Sequence, residues 1–152
     1  FMELLDDPFQ AILDVLPLAA PKHARFEAVL IDLHGEATSE KMAFAHMVDG
    51  RATLVVGTHT HVPTADAMIL NGGTAYQTDA GMCGDYNSVI GMTKEPSINN
   101  FLRKMPRQRM SPADGEGTLC GVMVESDDRT GLAVKVAPVR VGGRLSPTEN
   151  SA

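Results

Sequence analysis

Apolar residues recur along this chain in blocks whose spacing changes character, and the spacing predicts the elements. Asp7-Pro8 followed by Phe9, Ile12, Leu13 and Leu16 sets a cap, a first-turn proline and apolar positions at i, i+3, i+4 and i+7. That is one face of a helix, expected to end before Pro17. Ala28-Val29-Leu30-Ile31-Asp32-Leu33 and Ala52-Thr53-Leu54-Val55-Val56-Gly57 are short, nearly continuous apolar runs, the pattern of parallel strands covered on both faces. Residues 39–48 between them read as a crossover helix closed by Asp49-Gly50. The result is a β-α-β unit, whose right-handed crossover lays the two strands in one direction, side by side. Residues 67–70 and 74–78 flank Asn71-Gly72-Gly73 as a hairpin. Asp79 to Gly91 is a Gly-rich loop, and Glu95-Pro96-Ser97 opens a short helix to about Met105. Residues 118–125 and 132–141 are two long strands turning at Asp127 to Gly131. The polar tail, residues 142–152, is expected to be disordered. The fold class predicted is α/β: a mixed sheet with one β-α-β unit plus hairpins.

Composition narrows the use of this fold. A chain of 152 residues with 43% hydrophobic content suits one domain. A net charge of -6 argues against a general nucleic-acid or membrane-surface binder, which would carry a basic stripe. An anionic ligand would then need local positive charge, such as metal ions. No apolar run approaches the roughly 18 to 20 residues of a membrane span, and no leader pattern opens the chain. The expected compartment is therefore the cytoplasm, and there Cys83 and Cys120, which lack a C-x-x-C spacing, read as free thiols. The chain opens Phe1-Met2-Glu3 and enters a helix without a leading strand, which reads as the back part of something longer.

The candidate chemistry lies at the strand ends. His59-Thr60-His61 follows the second apolar run. In extended chain, alternate residues point the same way at a rise of about 3.3 Å each, which sets these imidazoles roughly 6 to 7 Å apart at their roots. His34 follows the first run, and open α/β sheets place ligand sites just past the carboxyl ends of their strands. Three imidazoles at one rim suit zinc, iron, manganese or nickel. Asp32 and Glu36 flank His34 and are candidates for orienting a ligand imidazole. Thr58 and Thr60 offer hydroxyls to a phosphate, or serve β propensity alone. His23 reads as a surface loop residue and His46 as helix packing. The loop from Gly81 to Ser88 does not match the phosphate-cradling G-x-x-x-x-G-K-[ST] pattern and reads as a structural turn. Arg103, Lys104, Arg107 and Arg109 form a basic cluster, read as a solvated face. The nine methionines are scattered as core filler.

Several segments together carry a resemblance. Leu5-Asp6-Asp7-Pro8-Phe9, Ile31-Asp32-Leu33-His34-Gly35-Glu36-Ala37-Thr38-Ser39-Glu40-Lys41, Val56-Gly57-Thr58-His59-Thr60-His61-Val62-Pro63-Thr64-Ala65-Asp66, Gly73-Thr74-Ala75-Tyr76 and Ser88-Val89-Ile90-Gly91-Met92 resemble a bacterial metallophosphoesterase family that includes 2',3'-cyclic-nucleotide phosphodiesterases. The resemblance implies a β-sandwich flanked by helices, with residues 1–152 as the C-terminal part of a single domain. It implies two divalent transition metal ions (iron, manganese or zinc), with His34 and His59 on one and His61 on the other. The ions would clamp the attacking and phosphoryl oxygens of a small phosphoester or cyclic nucleotide. Nucleic acid is implied only as a short RNA phosphodiester substrate. The family's proton-donating histidine and its acidic ligands belong to a front half with no counterpart in these residues, so no catalytic residue is assigned here and little turnover is expected of this chain alone. Gly35 stands where the family has alanine, Cys83 where threonine is common and Asn87 where an acid is common. A second expectation is a non-catalytic metal-binding or scaffold module that pairs with another chain or forms a homo-oligomer through an exposed sheet edge. A cupin also uses H-x-H, but the β-α-β pattern and the lack of a glutamate four or five residues after His61 count against it.

Overall fold

Residues 6–19, 26–103 and 109–148 are described by a computed structural model of the chain. Helix α1 spans Pro8–Ala19. Asp7 caps it, its Oδ1 accepting the Phe9 amide at 2.9 Å, and Pro8 fills the first turn where no N–H is needed. The expected stop before Pro17 is overturned, since the helix continues to Ala19. An interior proline forfeits one backbone bond. Anchorage of the preceding turn outweighs that loss: Leu16 is buried in the core, and the Phe9 ring meets Phe44 edge-on with centroids 5.4 Å apart.

Strand β1 (Leu30–His34), helix α2 (Thr38–Met47) and strand β2 (Leu54–Thr58) form the expected β-α-β unit. The strands are parallel, and His34 pairs with Thr58 at their carboxyl ends. Strands β3 (Met68–Ile69) and β4 (Ala75–Gln77) form the expected hairpin, with β4 parallel to β2, so the mixed sheet runs β1-β2-β4-β3. Helix α3 covers Lys94–Leu102. Strands β5 (Leu119–Ser126) and β6 (Ala133–Val141) pair antiparallel as a second sheet.

Two cores explain the layering. Phe44 and Ala45 of α2, with Val48 just past its end, meet Leu16, Val55 and Tyr76 on one face of the mixed sheet. On the other face Leu54, Val56 and Ala75 pack against Ala133, with Val122, Val124 and Val136 beside them. Strand β2 is therefore covered on both sides, as its composition predicts. Strand β1 is not. Ile31 and Leu33 pack toward the helices, but Leu30, Asp32 and His34 are exposed, because the β5–β6 layer lies over β2 and β4. The equally apolar run therefore forms a half-open edge.

Residues 142–148 depart from the expected disorder. The Arg140 amide donates to Thr148 Oγ1 at 2.9 Å, and the Thr148 amide returns a bond to the Arg140 carbonyl at 3.2 Å. A hydrogen-bonded return gives this polar stretch the partners a free tail lacks. Residues 149–152 lie outside the described residues. Among the described residues, no helix is long and apolar enough to cross a membrane.

Candidate metal centre

The parallel register of β1 and β2 brings His34 beside Thr58, and the chain then turns out of the sheet. Strand β2 ends at Thr58 rather than running through the H-x-H segment. His59 has φ +146° and His61 φ +64°, so the two residues are not alternate positions of an extended strand. The first of these values belongs to a backbone region occupied almost solely by glycine, at a cost of order 1–3 kcal/mol. The expectation that both rings point the same way fails here, because two left-handed residues in three make a bend.

His59 folds back onto His34. Their rings meet at 76° with centroids 5.1 Å apart, and His59 Nδ1 lies 3.3 Å from His34 Nε2. The outer partners assign the protons. Thr58 Oγ1 donates its one hydrogen to Asp32 Oδ1 at 2.9 Å, so His34 Nδ1, 3.0 Å from Thr58 Oγ1, carries a hydrogen and donates it to that hydroxyl oxygen. His34 Nε2 is then a bare lone pair. Glu36 Oε2, 2.6 Å from His59 Nε2, accepts a hydrogen from that nitrogen. His59 Nδ1 consequently faces the lone pair of His34, and the gap between the two nitrogens calls for a proton or a cation.

The spacing suits a metal. Two nitrogens bonded at 2.0–2.1 Å to a tetrahedral zinc ion stand about 3.3–3.4 Å apart, and the two rings already hold that edge. Asp32 reaches His34 through the Thr58 hydroxyl, and Glu36 orients His59 rather than the adjacent His34.

His61 goes elsewhere. Its Nδ1 donates to the Ile90 carbonyl at 2.9 Å, which leaves Nε2 as its free nitrogen. The ring lines a cavity of about 190 Å³ with Val62, Met82, Tyr86, Ser88 and Ile90. His34 and His59 thus meet ring to ring, while His61 is engaged by the Ile90 carbonyl beyond the bend. Among the described residues no group of three or more His, Cys, Asp or Glu side chains gathers closely enough to hold a metal ion. The residues therefore fit a two-nitrogen edge and a separate single nitrogen.

Other residues singled out by sequence fall in place around this rim. The Thr58 hydroxyl serves Asp32 and His34, and the Thr60 hydroxyl donates to the Val62 carbonyl at 3.1 Å, so both are engaged by protein partners rather than offered to a phosphate. His46 is exposed on the last turn of α2. His23, Lys104 and Arg107 lie outside the described residues, while Arg103 and Arg109 are exposed. Cys83 and Cys120 are free thiols. The loop after Asp79 is a structural turn organised by Tyr86, whose hydroxyl accepts the Met82 amide at 3.0 Å and lies 3.1 Å from the His61 carbonyl. Burial, aided by the neighbouring Cys120, pushes the Tyr86 hydroxyl well above the usual phenol range.

Sequence reasoning missed Lys41 and Asp79, both 1% exposed and joined at 3.3 Å beneath the bend. Asp79 Oδ2 accepts the Thr60 amide at 2.8 Å and Oδ1 the Gly81 amide at 2.9 Å, while Lys41 Nζ also donates to the Thr58 carbonyl at 3.2 Å. Burial raises the Asp79 carboxyl, but the Thr60 and Gly81 amides and Lys41 more than offset it, holding it below its ordinary value. A signal was available for Lys41. It occupies position i of the stripe Lys41, Phe44, Ala45, Val48, a charge where the helix otherwise buries apolar residues.

Comparison with known proteins shows what the chain is similar to. The chain is 46% identical over 141 residues to the 2',3'-cyclic-nucleotide 2'-phosphodiesterase of Bacillus subtilis (strain 168), covering 93% of this chain and 52% of that protein. It is 42% identical over 113 residues to a putative phosphatase/phosphodiesterase of Mycoplasma pneumoniae, covering 74% of this chain and 40% of that one. The chain thus spans about half the length of the curated relatives it matches. Among solved structures, a hypothetical protein from Thermus thermophilus superposes with a TM-score of 0.82 at 42% identity, covering 95% of this chain and 54% of the other. A novel phosphatase from Mycoplasma pneumoniae gives 0.80 at 36%, covering 90% and 47%. The YmdB-like protein family matches residues 1–139, and with that match over nearly the whole sequence the chain belongs to this family, within the metallophosphoesterases.

Proposed function

We propose that this chain supplies the histidine side of a dinuclear metal centre that hydrolyses phosphodiesters, with 2',3'-cyclic nucleotides or related small phosphoesters as substrates. The observation that carries the reading is the His34–His59 pair. Two imidazole nitrogens face each other at 3.3 Å, each with its opposite nitrogen engaged by a protein acceptor. Such an arrangement orients lone pairs toward one cation. His34 Nε2 and His59 Nδ1 would hold one divalent transition ion, iron, manganese or zinc, and His61 Nε2 the other. Asp32, through Thr58, and Glu36 fix the ring orientations. When bound, such ions supply Lewis acidity toward phosphoryl oxygens and a nucleophile at neutral pH. The name of the Bacillus relative supports the substrate class, and the acidic charge with two free thiols favours a cytoplasmic setting.

Metal analysis of His34→Ala, His59→Ala and His61→Ala beside the parent chain tests the assignment. The first two variants should lose the same ion and the third a different share. Equal metal content in all four proteins would remove the ligand assignment. With no carboxylate-bearing trio among the described residues, the chain alone should turn over 2',3'-cyclic nucleotides barely or not at all, and robust hydrolysis by these residues only would contradict that. The open edge of β1 favours a second reading, a module that self-associates or pairs with another chain.

A further inference from the structure

Beneath the His59–His61 bend lies a charge pair that the ligand chemistry leaves unused. We propose that Lys41 and Asp79 are positioning residues that hold this bend in the shape that receives a metal; the proposal rests on the reading of the histidines as ligands. Taking two charges out of water is costly, and an apolar pair of similar volume would pack as well or better. Where their hydrogen bonds go explains the pair's use. Lys41 Nζ grips the Thr58 carbonyl and Asp79 Oδ2 grips the Thr60 amide, so the pair brackets His59 on both sides. Between those two grips the backbone takes φ +146°, which persists only where the surroundings over-determine it.

The same carboxylate reaches the third histidine. Asp79 Oδ1 holds the Gly81 amide, and the next residue, Met82, donates its amide to the His61 carbonyl at 3.3 Å. The Asp79 carboxylate therefore contributes, together with the Tyr86 hydroxyl on the same Met82 amide and His61 carbonyl, to the relation between the His34–His59 edge and His61. The sheet makes room for it at Gly57, where a Cβ would stand 2.7 Å from Lys41 Cδ and collide with the Thr78 carbonyl. Neither Lys41 nor Asp79 has surface from which to touch a substrate, since each is 1% exposed. Their action is exerted through the backbone.

The test uses Lys41→Met, Asp79→Asn and the double variant, read by urea unfolding, by Zn2+ titration calorimetry, and by the Thr60 amide and His59 ring signals in metal-free NMR spectra. Each single variant strands a buried charge or its partner and should lose stability. The double variant removes both charges and should recover stability relative to either single, so it carries the test if a single variant does not fold. Its Zn2+ affinity should nevertheless stay about tenfold or more below the parent's, with the Thr60 and His59 signals displaced. A stable double variant with parent-like signals and parent-like affinity overturns the clamp. Zn2+ binding by His34→Ala equal to the parent's overturns the ligand reading and the proposal with it, whereas displaced signals in the double variant are read independently of any metal.

Discussion

Thr58 has one hydroxyl hydrogen, and its destination decides what His34 offers. With that hydrogen on Asp32, His34 must donate from Nδ1, and its Nε2 stays free. Thr58→Val keeps the shape of the strand end and deletes the relay. Zn2+ affinity measured by calorimetry should fall about 10–100-fold, while unfolding free energy changes by about 1 kcal/mol. Thr58→Ser should bind like the parent; a valine variant with parent affinity would show that the relay does not matter. At this scale the residue types were legible in the sequence and their directions were not. Two histidines separated by one residue suggest parallel rings only if the chain stays extended, and nothing in His59-Thr60-His61 announces positive φ at non-glycine positions. Asp79 was equally hidden, because its partner Lys41 lies 38 residues earlier in the chain.

The elements were more legible, because apolar periodicity is a local property and each strand and helix carries its own. Both parallel strands, the crossover helix, the hairpin and the β5–β6 pair fall within a few residues of their expected bounds. Less visible was which strand would be doubly covered. The runs before His34 and Thr58 are similarly apolar, and only the placement of β5–β6 distinguishes edge from centre. The end of β4 shows how a polar chain secures a buried element. Tyr76, 1% exposed, donates to the Thr78 hydroxyl at 2.9 Å, and Thr78 passes its own hydrogen to Asp66, which also accepts the Thr78 amide at 3.2 Å. Burial raises the Asp66 carboxyl, but the hydroxyls of Thr64 and Thr78 and the Thr78 amide outweigh it, leaving its pKa below the ordinary 3.8. A depressed folded pKa means that ionised Asp66 stabilises the fold at any pH above the unfolded value. That contribution is lost as pH falls through the folded pKa. Urea midpoints followed from pH 7 downward should therefore show no Asp66-dependent change until pH falls below about 4, then a drop that is shallower in Asp66→Asn. Identical acid profiles for the two proteins would contradict the network.

For the whole molecule, the layering leaves the two edges of the mixed sheet unequal. Strand β3 is a two-residue edge, too short to template another strand, whereas β1 offers five residues paired on one side only among those described. Its outward face carries Leu30, 66% exposed, beside the rim where His34 stands. An exposed apolar edge strand is a template for pairing with another chain, so concentration-dependent association is expected of the isolated chain. A lysine on such an edge opposes it. Leu30→Lys should shift light-scattering masses toward monomer while leaving the urea midpoint nearly unchanged, because little of Leu30 is buried to lose. Because the β1 edge and the His34–His59 pair share one strand end, association and metal binding become separable in the same variant. Leu30→Lys should keep the parent's Zn2+ affinity, since no bond of His34 or His59 involves residue 30. A parent chain that is monomeric at every concentration would remove the self-associating reading, and loss of Zn2+ binding in Leu30→Lys would mean that the centre is completed across two copies rather than within one.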